Sequence, residues 1–183
     1  MASKKEEHIE QIKQAYKDFE QSLLKTGQFL SKDTGIGYWG ITPLQELHEL
    51  FKSIDIIKHK HVLDLGSGDG RVVLLAAAMG IKATGIEGDD WLMRCALDMK
   101  RKIDHPSMNN ASFFTDDFMK MDISQYDLLY VSPDRPFYRG LDIKLHNEMK
   151  GKLLVHSYEF LPKILKLEKQ FKINGELFGL YHK

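Results

Sequence analysis

The sequence predicts an α/β fold with a doubly wound, mostly parallel sheet. Residues 62–65 form an apolar run interrupted only by Asp64 and bounded by a glycine, which indicates a strand buried on both faces. A glycine-rich turn follows, and residues 71–79 then form an apolar helix. A second strand, at 83–87, comes directly after this helix. This alternation of strand, helix and strand is typical of a parallel sheet.

The segments that follow continue the same pattern. Asp89 or Asp90 is a good N-cap for a helix that ends near residue 103. Near the C-terminus, Asn174-Gly175 lies between two strand-like segments, which predicts an antiparallel hairpin. Three further strands are predicted at 111–115, 126–131 and 151–157, with a helix at 140–150.

The glycine turn and the end of the second strand together predict a nucleoside site. Gly66, Gly68 and Gly70 allow a sharp turn and let a ligand lie against the main chain. Glu87 ends the second strand, 17 residues after Gly70, where a carboxylate can accept hydrogen bonds from both ribose hydroxyls.

The residues around the turn favour a cationic ligand over a dinucleotide. The dinucleotide fingerprint G-x-G-x-x-G would require a third glycine at position 71, but Arg71 stands there. Asp64 precedes the first glycine and would repel a pyrophosphate, whereas it suits an ammonium group.

Composition restricts the class of protein. The 183 residues predict one compact unit, in which we separate an N-terminal covering segment (1–42) from a core (43–183). The 26 basic and 26 acidic residues balance, which does not favour non-specific binding to nucleic acid, although a local basic patch stays open. No segment approaches the ~18 apolar residues of a membrane span, and the start lacks a secretory apolar region. Cys95 is the only cysteine, so we expect a reducing, cytoplasmic location.

Three N-terminal features complete the interpretation. An amphipathic helix over Lys4–Lys25 should pack on the core or cover the site, with a dimer contact as the alternative. Residues 26–41 are too rich in glycine for a helix and too irregular for a sheet. Thr42 should cap the next helix, with Pro43 at its first position and Gln45 completing a capping box. We expect no metal site, because His59 and His61 have no third ligand nearby.

The motif VLDLGSGDGR, followed by GIEGDD, resembles motifs I and II of the class I S-adenosylmethionine-dependent methyltransferases. The wording of this motif, together with KLHNEMKGKLLVHSYEF, is similar to the minimal archaeal-type and mitochondrial-type protein lysine methyltransferases over about residues 37–160. The resemblance implies a seven-stranded Rossmann-like sheet with a C-terminal antiparallel hairpin and an added N-terminal helix. It also implies a bend and a strand over 161–170, where composition alone allows a helix.

The resemblance further implies the ligand and the residues that hold it. The cofactor would be S-adenosyl-L-methionine, with S-adenosyl-L-homocysteine as the product. An acidic residue after the third strand would bind adenine, and the alignment favours Asp117 and Phe118 over Asp116. Aromatic residues before the first core helix would close over the cofactor, although a plain hydrophobic anchor is an equal alternative. The cofactor-binding residues are thus predicted as Trp39, Thr42, Asp64, Gly66, Ser67, Gly68, Gly70, Glu87, Gly88, Asp117, Phe118 and Tyr130.

The acceptor side is predicted at the end of the fourth strand, where SPDRPFYRG should border the transferred methyl. We name Tyr38, Ser132 and Asp134 as candidate catalytic residues; Asp134 could bind or deprotonate an amine, or simply shape the turn. Adenine-N6 methyltransferases have [DNS]-P-P-[YFW] here. Ser132-Pro133 fits the first half of that motif, but Asp134 and Arg135 break the second half, and Tyr138 could replace its aromatic residue only by a different loop path.

These residues leave three functions open. The leading one is methylation of an amine, most simply a protein lysine, so that the partner would be a protein. The second is methylation of a nucleic-acid base or a small molecule. The third is binding of S-adenosylmethionine without catalysis. The sequence predicts no oligomeric state.

Overall fold

The computed structural model describes residues 4–137 and 140–183. In that part of the chain, a sheet has seven strands: β3 (His61–Leu65), β4 (Lys82–Glu87), β5 (Ala111–Thr115), β6 (Leu128–Val131), β7 (Lys152–His156), β8 (Lys166–Ile173) and β9 (Glu176–His182). Their order across the sheet is β5-β4-β3-β6-β7-β9-β8. The first five are parallel to one another, and β9 pairs antiparallel with both β7 and β8. The predicted fold class is therefore confirmed.

Helices cover both faces of the sheet. They are α1 (Lys4–Lys25), α2 (Leu44–Ser53), α3 (Arg71–Ala78), α4 (Asp90–Ile103) and α5 (Leu141–Glu148). One apolar cluster contains residues of α1, α2, α3 and α4 together with alternate residues of the strands, among them Val62, Tyr130 and Phe178. A second cluster joins α5 with the opposite residues, among them Leu63 and Val155. This alternation follows directly from the two-residue repeat of a strand.

The N-terminal helix packs on the core as predicted. Ile9, Ile12 and Tyr16 are buried in the same cluster as the central strands. The hydroxyl of Tyr16 donates a hydrogen bond to the carbonyl of Asp69 in the glycine turn, at 2.9 Å. Helix α1 is therefore hydrogen-bonded to the glycine turn. The division of the chain at residue 42 stays a prediction.

The loop between α1 and α2 differs from the prediction. It contains a short antiparallel hairpin, β1 (Ser31–Asp33) and β2 (Tyr38–Gly40), where irregular chain was expected. Thr34 closes its turn by exchanging hydrogen bonds with Gly37. We call β1, β2 and this turn the lid hairpin.

The predicted start of α2 was wrong. Pro43, with extended dihedral angles, precedes the helix, and no side chain caps it. Thr42 instead turns inward, with its Oγ1 3.5 Å from the Tyr130 hydroxyl. Gln45 accepts from Lys13 and donates to Glu49, so it forms no capping box. Burial of Thr42 beside a phenol outweighs the local capping preference.

The other boundaries agree closely with the predictions. Asp89 caps α4 by accepting from the amide of Leu92 at 2.8 Å. Asn174 and Gly175 both have positive φ, as the predicted two-residue hairpin requires. Residues 166–173 are a strand and not a helix. Within residues 4–137 and 140–183, none of the helices combines the length and the apolar character that a membrane span requires.

Candidate functional site

Two adjoining cavities lie at the carboxyl ends of the parallel strands. Strand β3 pairs with β4 on one side and β6 on the other, so the crevice beyond it is a topological switch point. The larger cavity, about 460 Å³, is bordered mainly by residues that follow β4, β5 and β6. The smaller, about 210 Å³, is bordered by the glycine turn, the start of α3 and the chain before α2. Gly66, Gly68, Trp39 and Ser132 line both.

Glu87 holds the glycine turn from the side. Its Oε2 accepts a hydrogen bond from the Gly68 amide and its Oε1 accepts one from the Asp89 amide, both at 2.8 Å. Each carboxylate oxygen has a second lone pair that these bonds leave for a ligand. The side chain is buried yet borders the larger cavity. Its position therefore suits the sugar hydroxyls that the sequence predicted it would bind.

The lid hairpin is fastened over the cavities at both ends. The backbone N–H of Tyr38 donates to Oδ2 of Asp134 at 2.7 Å, which joins β2 to the loop after β6. Lys32 forms an ion pair with Asp89 at 2.9 Å, which joins β1 to the start of α4. Between these attachments, Trp39 is buried against Leu23 and Leu92. Tyr38 and Trp39 thus border both cavities, and their closing over a ligand stays a prediction beside the alternative of a hydrophobic anchor.

The smaller cavity is acidic. Asp64 lines it and is buried, and burial together with the nearby Glu87 and Asp69 raises the pKa of Asp64 well above its usual value. Two further buried hydroxyls, those of Thr42 and Tyr130, border the same space. Ser67 lines it too, and its buried Oγ has no hydrogen-bond partner within the described protein. A ligand group with a positive charge would stabilise the ionised form of Asp64.

Arg71, which occupies the position of the missing third glycine, makes its contacts within the protein. Its guanidinium pairs with Asp69 at 2.6 Å and with Glu20 at 2.9 Å, and it donates to the carbonyl of Thr42. The group also lies over the ring of Tyr16, at 4.8 Å from the centroid. Arg71 therefore ties α1, the turn and the chain before α2 together, and its charge is already compensated.

The far end of the larger cavity carries the predicted adenine residues. Both Asp117 and Phe118 line it, as does Gly88. Asp116 lines it as well, so the choice between the two aspartates stays open. The carboxylate of Asp117 accepts from the Met119 amide at 2.9 Å, and that of Asp116 accepts from the Asp117 amide at 2.7 Å.

Of the candidate catalytic residues, Asp134 is the most constrained. It accepts from the Arg135 guanidinium as well as from Tyr38. Partial burial would raise the pKa of Asp134, but the hydrogen bonds from Arg135 and the Tyr38 amide outweigh it and hold this pKa below its usual value. Ser132 is exposed at the junction of the cavities. The Tyr38 hydroxyl donates to Ser31 within the lid hairpin, while its ring borders both cavities.

The structure brings together all the predicted site residues except Gly70. Gly70 lines neither cavity; a Cβ there would lie 2.8 Å from both Ala96 and Phe113, so this glycine serves close packing behind the turn. Tyr138 lies outside the described residues. No local pattern indicated Ile36, which borders the larger cavity and would lie 2.5 Å from a Cβ on Gly88. Among the described residues, no three histidine, cysteine or acidic side chains are grouped for a metal ion.

Comparison with known proteins decides the family. The model of the ANTKMT methyltransferase domain matches residues 64–167, which include the glycine turn, Glu87 and the loop after β6. The chain belongs to this family. Membership confirms the methyltransferase class predicted from the DLGSGDGR motif.

Curated relatives match a shorter stretch. They are lysine N-methyltransferases named for a component of ATP synthase, and the chain is 30% identical over 99 residues to the one from Homo sapiens. It is 29% identical over 101 residues to the one from Xenopus laevis. The match covers 54% of this chain in both cases, but only 42% and 43% of the relatives. The chain thus matches less than half the length of these proteins.

Solved structures show the same fold. An RNA methyltransferase from Salinibacter ruber, in complex with S-adenosyl-L-homocysteine, superposes with a TM-score of 0.64 at 21% identity, over 77% of this chain and 92% of that one. A ribosomal protein L11 methylase from Lactobacillus delbrueckii subsp. bulgaricus superposes with a TM-score of 0.61 at 16% identity, over 78% and 80%. Because one of these is named for RNA and the other for a protein, the fold does not select the acceptor.

Proposed function

We propose that this protein is an S-adenosylmethionine-dependent methyltransferase that acts on the amine of a protein lysine. The observation that carries the proposal is the pair of cavities that meet at Gly66 and Gly68 beneath Trp39. One cavity offers a carboxylate and backbone for a nucleoside, and the other offers a buried carboxylate for an ammonium. A ligand with a nucleoside at one end and an amino acid at the other fits this division.

The donor would be held by residues from four strand ends. Glu87 would accept from the ribose hydroxyls, while Gly88, Phe118 and either Asp116 or Asp117 would border the adenine. Asp64, Ser67 and Tyr130 would receive the amino-acid end in the smaller cavity. When bound, S-adenosylmethionine supplies a methyl group that is already electrophilic. The protein therefore needs neither a metal nor a covalent nucleophile.

The task left to the chain is to position the acceptor and to exclude water. A lysine amine at pH 7 must lose a proton, which costs about 4.6 kcal/mol for a free pKa near 10.4. The half-closed space beneath the lid hairpin lowers this cost because burial disfavours the ammonium form. The exposed ring of Tyr38 at the mouth can hold the cationic amine by its aromatic face as it enters.

The loop after β6 supports an amine acceptor over a nucleic-acid base. At the place where the adenine-N6 motif has a stacking aromatic, this chain has Arg135, which is paired with Asp134 at 2.5 Å. Ser132 keeps the side-chain oxygen of the motif's first position, but at the fourth position a base would meet this ion pair in place of the motif's aromatic residue. The curated relatives, named as lysine N-methyltransferases, favour the same acceptor class.

The test is transfer of a labelled methyl group into a lysate. We expect label in protein, and its loss when lysines are acetylated beforehand, because an acetylated amine is no longer a nucleophile. Glu87→Ala serves as the control for dependence on the site. Label that is removed by ribonuclease would establish the nucleic-acid alternative, and cofactor binding without transfer to any fraction would establish the non-catalytic one.

We also propose a cytoplasmic location, supported by the single cysteine, Cys95, which lies partly buried in α4. A fluorescent fusion that concentrated in another compartment would contradict it.

A further inference from the structure

A chain of three polar side chains runs along one face of the sheet to the smaller cavity. Tyr130 lines that cavity, and its hydroxyl lies 3.2 Å from Nδ1 of His156. Nε2 of His156 lies 2.7 Å from Oε2 of Glu176. The three residues come from β6, β7 and β9, and the strand register places them on the same face.

The environment of each group fixes its place in the chain. Tyr130 is 1% exposed, so its hydroxyl has no bulk water to turn toward. The ring of His156 stacks on Phe178 with centroids 4.4 Å apart, which fixes its plane. Glu176 is the outer end, with its side chain 32% exposed. The chain thus connects a solvated carboxylate to a buried phenol over two hydrogen bonds.

The direction of these hydrogen bonds follows from the chemistry of the end group. An ionised carboxylate can only accept, so Nε2 of His156 carries a hydrogen toward Glu176. We assign His156 the neutral tautomer that carries its hydrogen on Nε2, in which Nδ1 is an acceptor and the hydroxyl of Tyr130 donates to it. The hydroxyl hydrogen therefore points away from the cavity, and the lone pairs of the oxygen remain for other partners.

Other groups around the cavity are acceptors as well. Asp64 borders the same space, and Tyr130 and Thr42 bring their hydroxyl groups to within 3.5 Å of one another there. A carboxylate and a phenol oxygen that both accept would suit an ammonium group, which has three donors and no acceptor.

We propose that Glu176 and His156 are positioning residues, which orient Tyr130 so that its oxygen accepts a hydrogen bond from the ammonium of the donor's amino-acid end. This inference rests on the proposed function, because it assigns that end of S-adenosylmethionine to the smaller cavity. Glu176 and His156 touch no ligand themselves. Their effect passes through the direction of one O–H bond.

The test compares two ligands that differ in the amino-acid end. S-adenosyl-L-homocysteine carries it, and 5′-methylthioadenosine lacks it. By calorimetry, Tyr130→Phe should weaken S-adenosyl-L-homocysteine binding by roughly tenfold or more, the usual effect of a lost hydrogen bond to a charged group, and leave 5′-methylthioadenosine unchanged. His156→Phe should give the same selective loss, and the double variant should lose no more than either single one.

Two substitutions at the exposed end provide the second arm. Glu176→Lys places only hydrogen-bond donors beside Nε2 of His156, so Nε2 accepts and Nδ1 donates to Tyr130. The Tyr130 hydrogen then turns toward the ammonium, and we expect a selective loss of affinity for S-adenosyl-L-homocysteine. Glu176→Gln keeps an oxygen acceptor and should bind both ligands nearly as the native protein does. Tyr181→Phe, on the opposite face of the sheet and lining neither cavity, is the matched control.

The outcomes separate the inference from the proposed function. Equal affinities in Tyr130→Phe and the native protein, or losses that affect both ligands equally, would overturn the positioning role while the methyltransferase assignment stood. A native protein that bound neither ligand would overturn both. Should His156→Phe fail to fold, the opposed results expected for Glu176→Lys and Glu176→Gln decide the matter.

Discussion

Trp39 lies directly on the main chain of Gly68. A Cβ added to Gly68 would stand 2.7 Å from Cδ1 and 2.9 Å from Nε1 of the indole, closer than side-chain atoms approach one another. Trp39 belongs to the lid hairpin and Gly68 to the turn that separates the two cavities. The lid hairpin and the glycine turn are therefore in contact at this point, so displacement of either residue changes the space for the ligand.

Gly68→Ala should accordingly weaken donor affinity. The new methyl group would push the buried indole aside and would also strain a residue with φ of +55°. We expect at least a tenfold loss of S-adenosyl-L-homocysteine affinity by calorimetry. Gly80→Ala is the matched control, because Gly80 has φ of +93° but nothing within 4 Å of the added atom. Equal affinities in the two variants would show that the contact with Trp39 has no bearing on binding.

Glu87→Ala should weaken S-adenosyl-L-homocysteine binding by more than tenfold. It removes the predicted ribose acceptor and also leaves the amides of Gly68 and Asp89 without their partner. Asp98→Ala is the control: it removes an exposed carboxylate of α4 that pairs with Arg101 and borders neither cavity, so we expect little change in affinity. Unchanged affinity in Glu87→Ala would remove this residue from the site.

Asp64→Asn should stabilise the free protein and weaken donor binding at the same time. The folded pKa of Asp64 is raised by burial and by Glu87 and Asp69, so the folded state holds its proton more tightly than the unfolded state does. The unfolding free energy therefore falls as pH rises above the unfolded value near 3.9, and this loss persists at neutral pH. Asparagine cannot ionise, so the Asp64→Asn variant does not lose this stability as pH rises.

Thermal unfolding at two pH values checks the Asp64 prediction. At pH 7 the variant should melt higher, by ~2–4 °C for each kcal/mol gained, and near pH 4 the difference should shrink. The affinity of the native protein for S-adenosyl-L-homocysteine should fall as pH is lowered through the raised pKa of Asp64, because a protonated, neutral carboxyl attracts the ammonium less. A variant that melted lower at pH 7 would contradict the argument.

The part of this site built from local sequence could be predicted. The glycine turn, the helix after it and Glu87 lie within 22 consecutive residues, 66–87, and the physics that shapes them is short-range. The lid hairpin could not be predicted from local sequence, because the contacts that hold it are long-range. Tyr38 and Asp134 are 96 residues apart in the sequence, and Lys32 and Asp89 are 57 residues apart. In isolation a hairpin with three-residue strands is marginal.

The polar chain behind Tyr130 was missed for a related reason. His156 ends β7 and Glu176 begins β9, and only the pairing of β9 with β7 brings them together. The signal was nevertheless present, since two-residue periodicity places His156 on the same strand face as Leu154, and Leu154 pairs with Tyr130. Thr42 shows the opposite case, in which a strong local capping signal lost to a buried contact with Tyr130.

Substitutions of Asp134 can distinguish a structural role of this residue from a catalytic one. Its carboxylate accepts from the Tyr38 amide and from Arg135, and these hydrogen bonds hold its pKa low, which makes it a weak base at neutral pH. Asp134→Asn keeps an oxygen that can accept from Tyr38, whereas Asp134→Ala keeps none. We therefore expect Asp134→Asn to retain methyl transfer within about threefold and Asp134→Ala to lose roughly tenfold, because only the second releases the lid hairpin.

Were Asp134 the group that removes the lysine proton, both variants would be equally inactive and the pH dependence of kcat/KM would change in each. Measuring that profile for the native protein and the two variants decides between the roles.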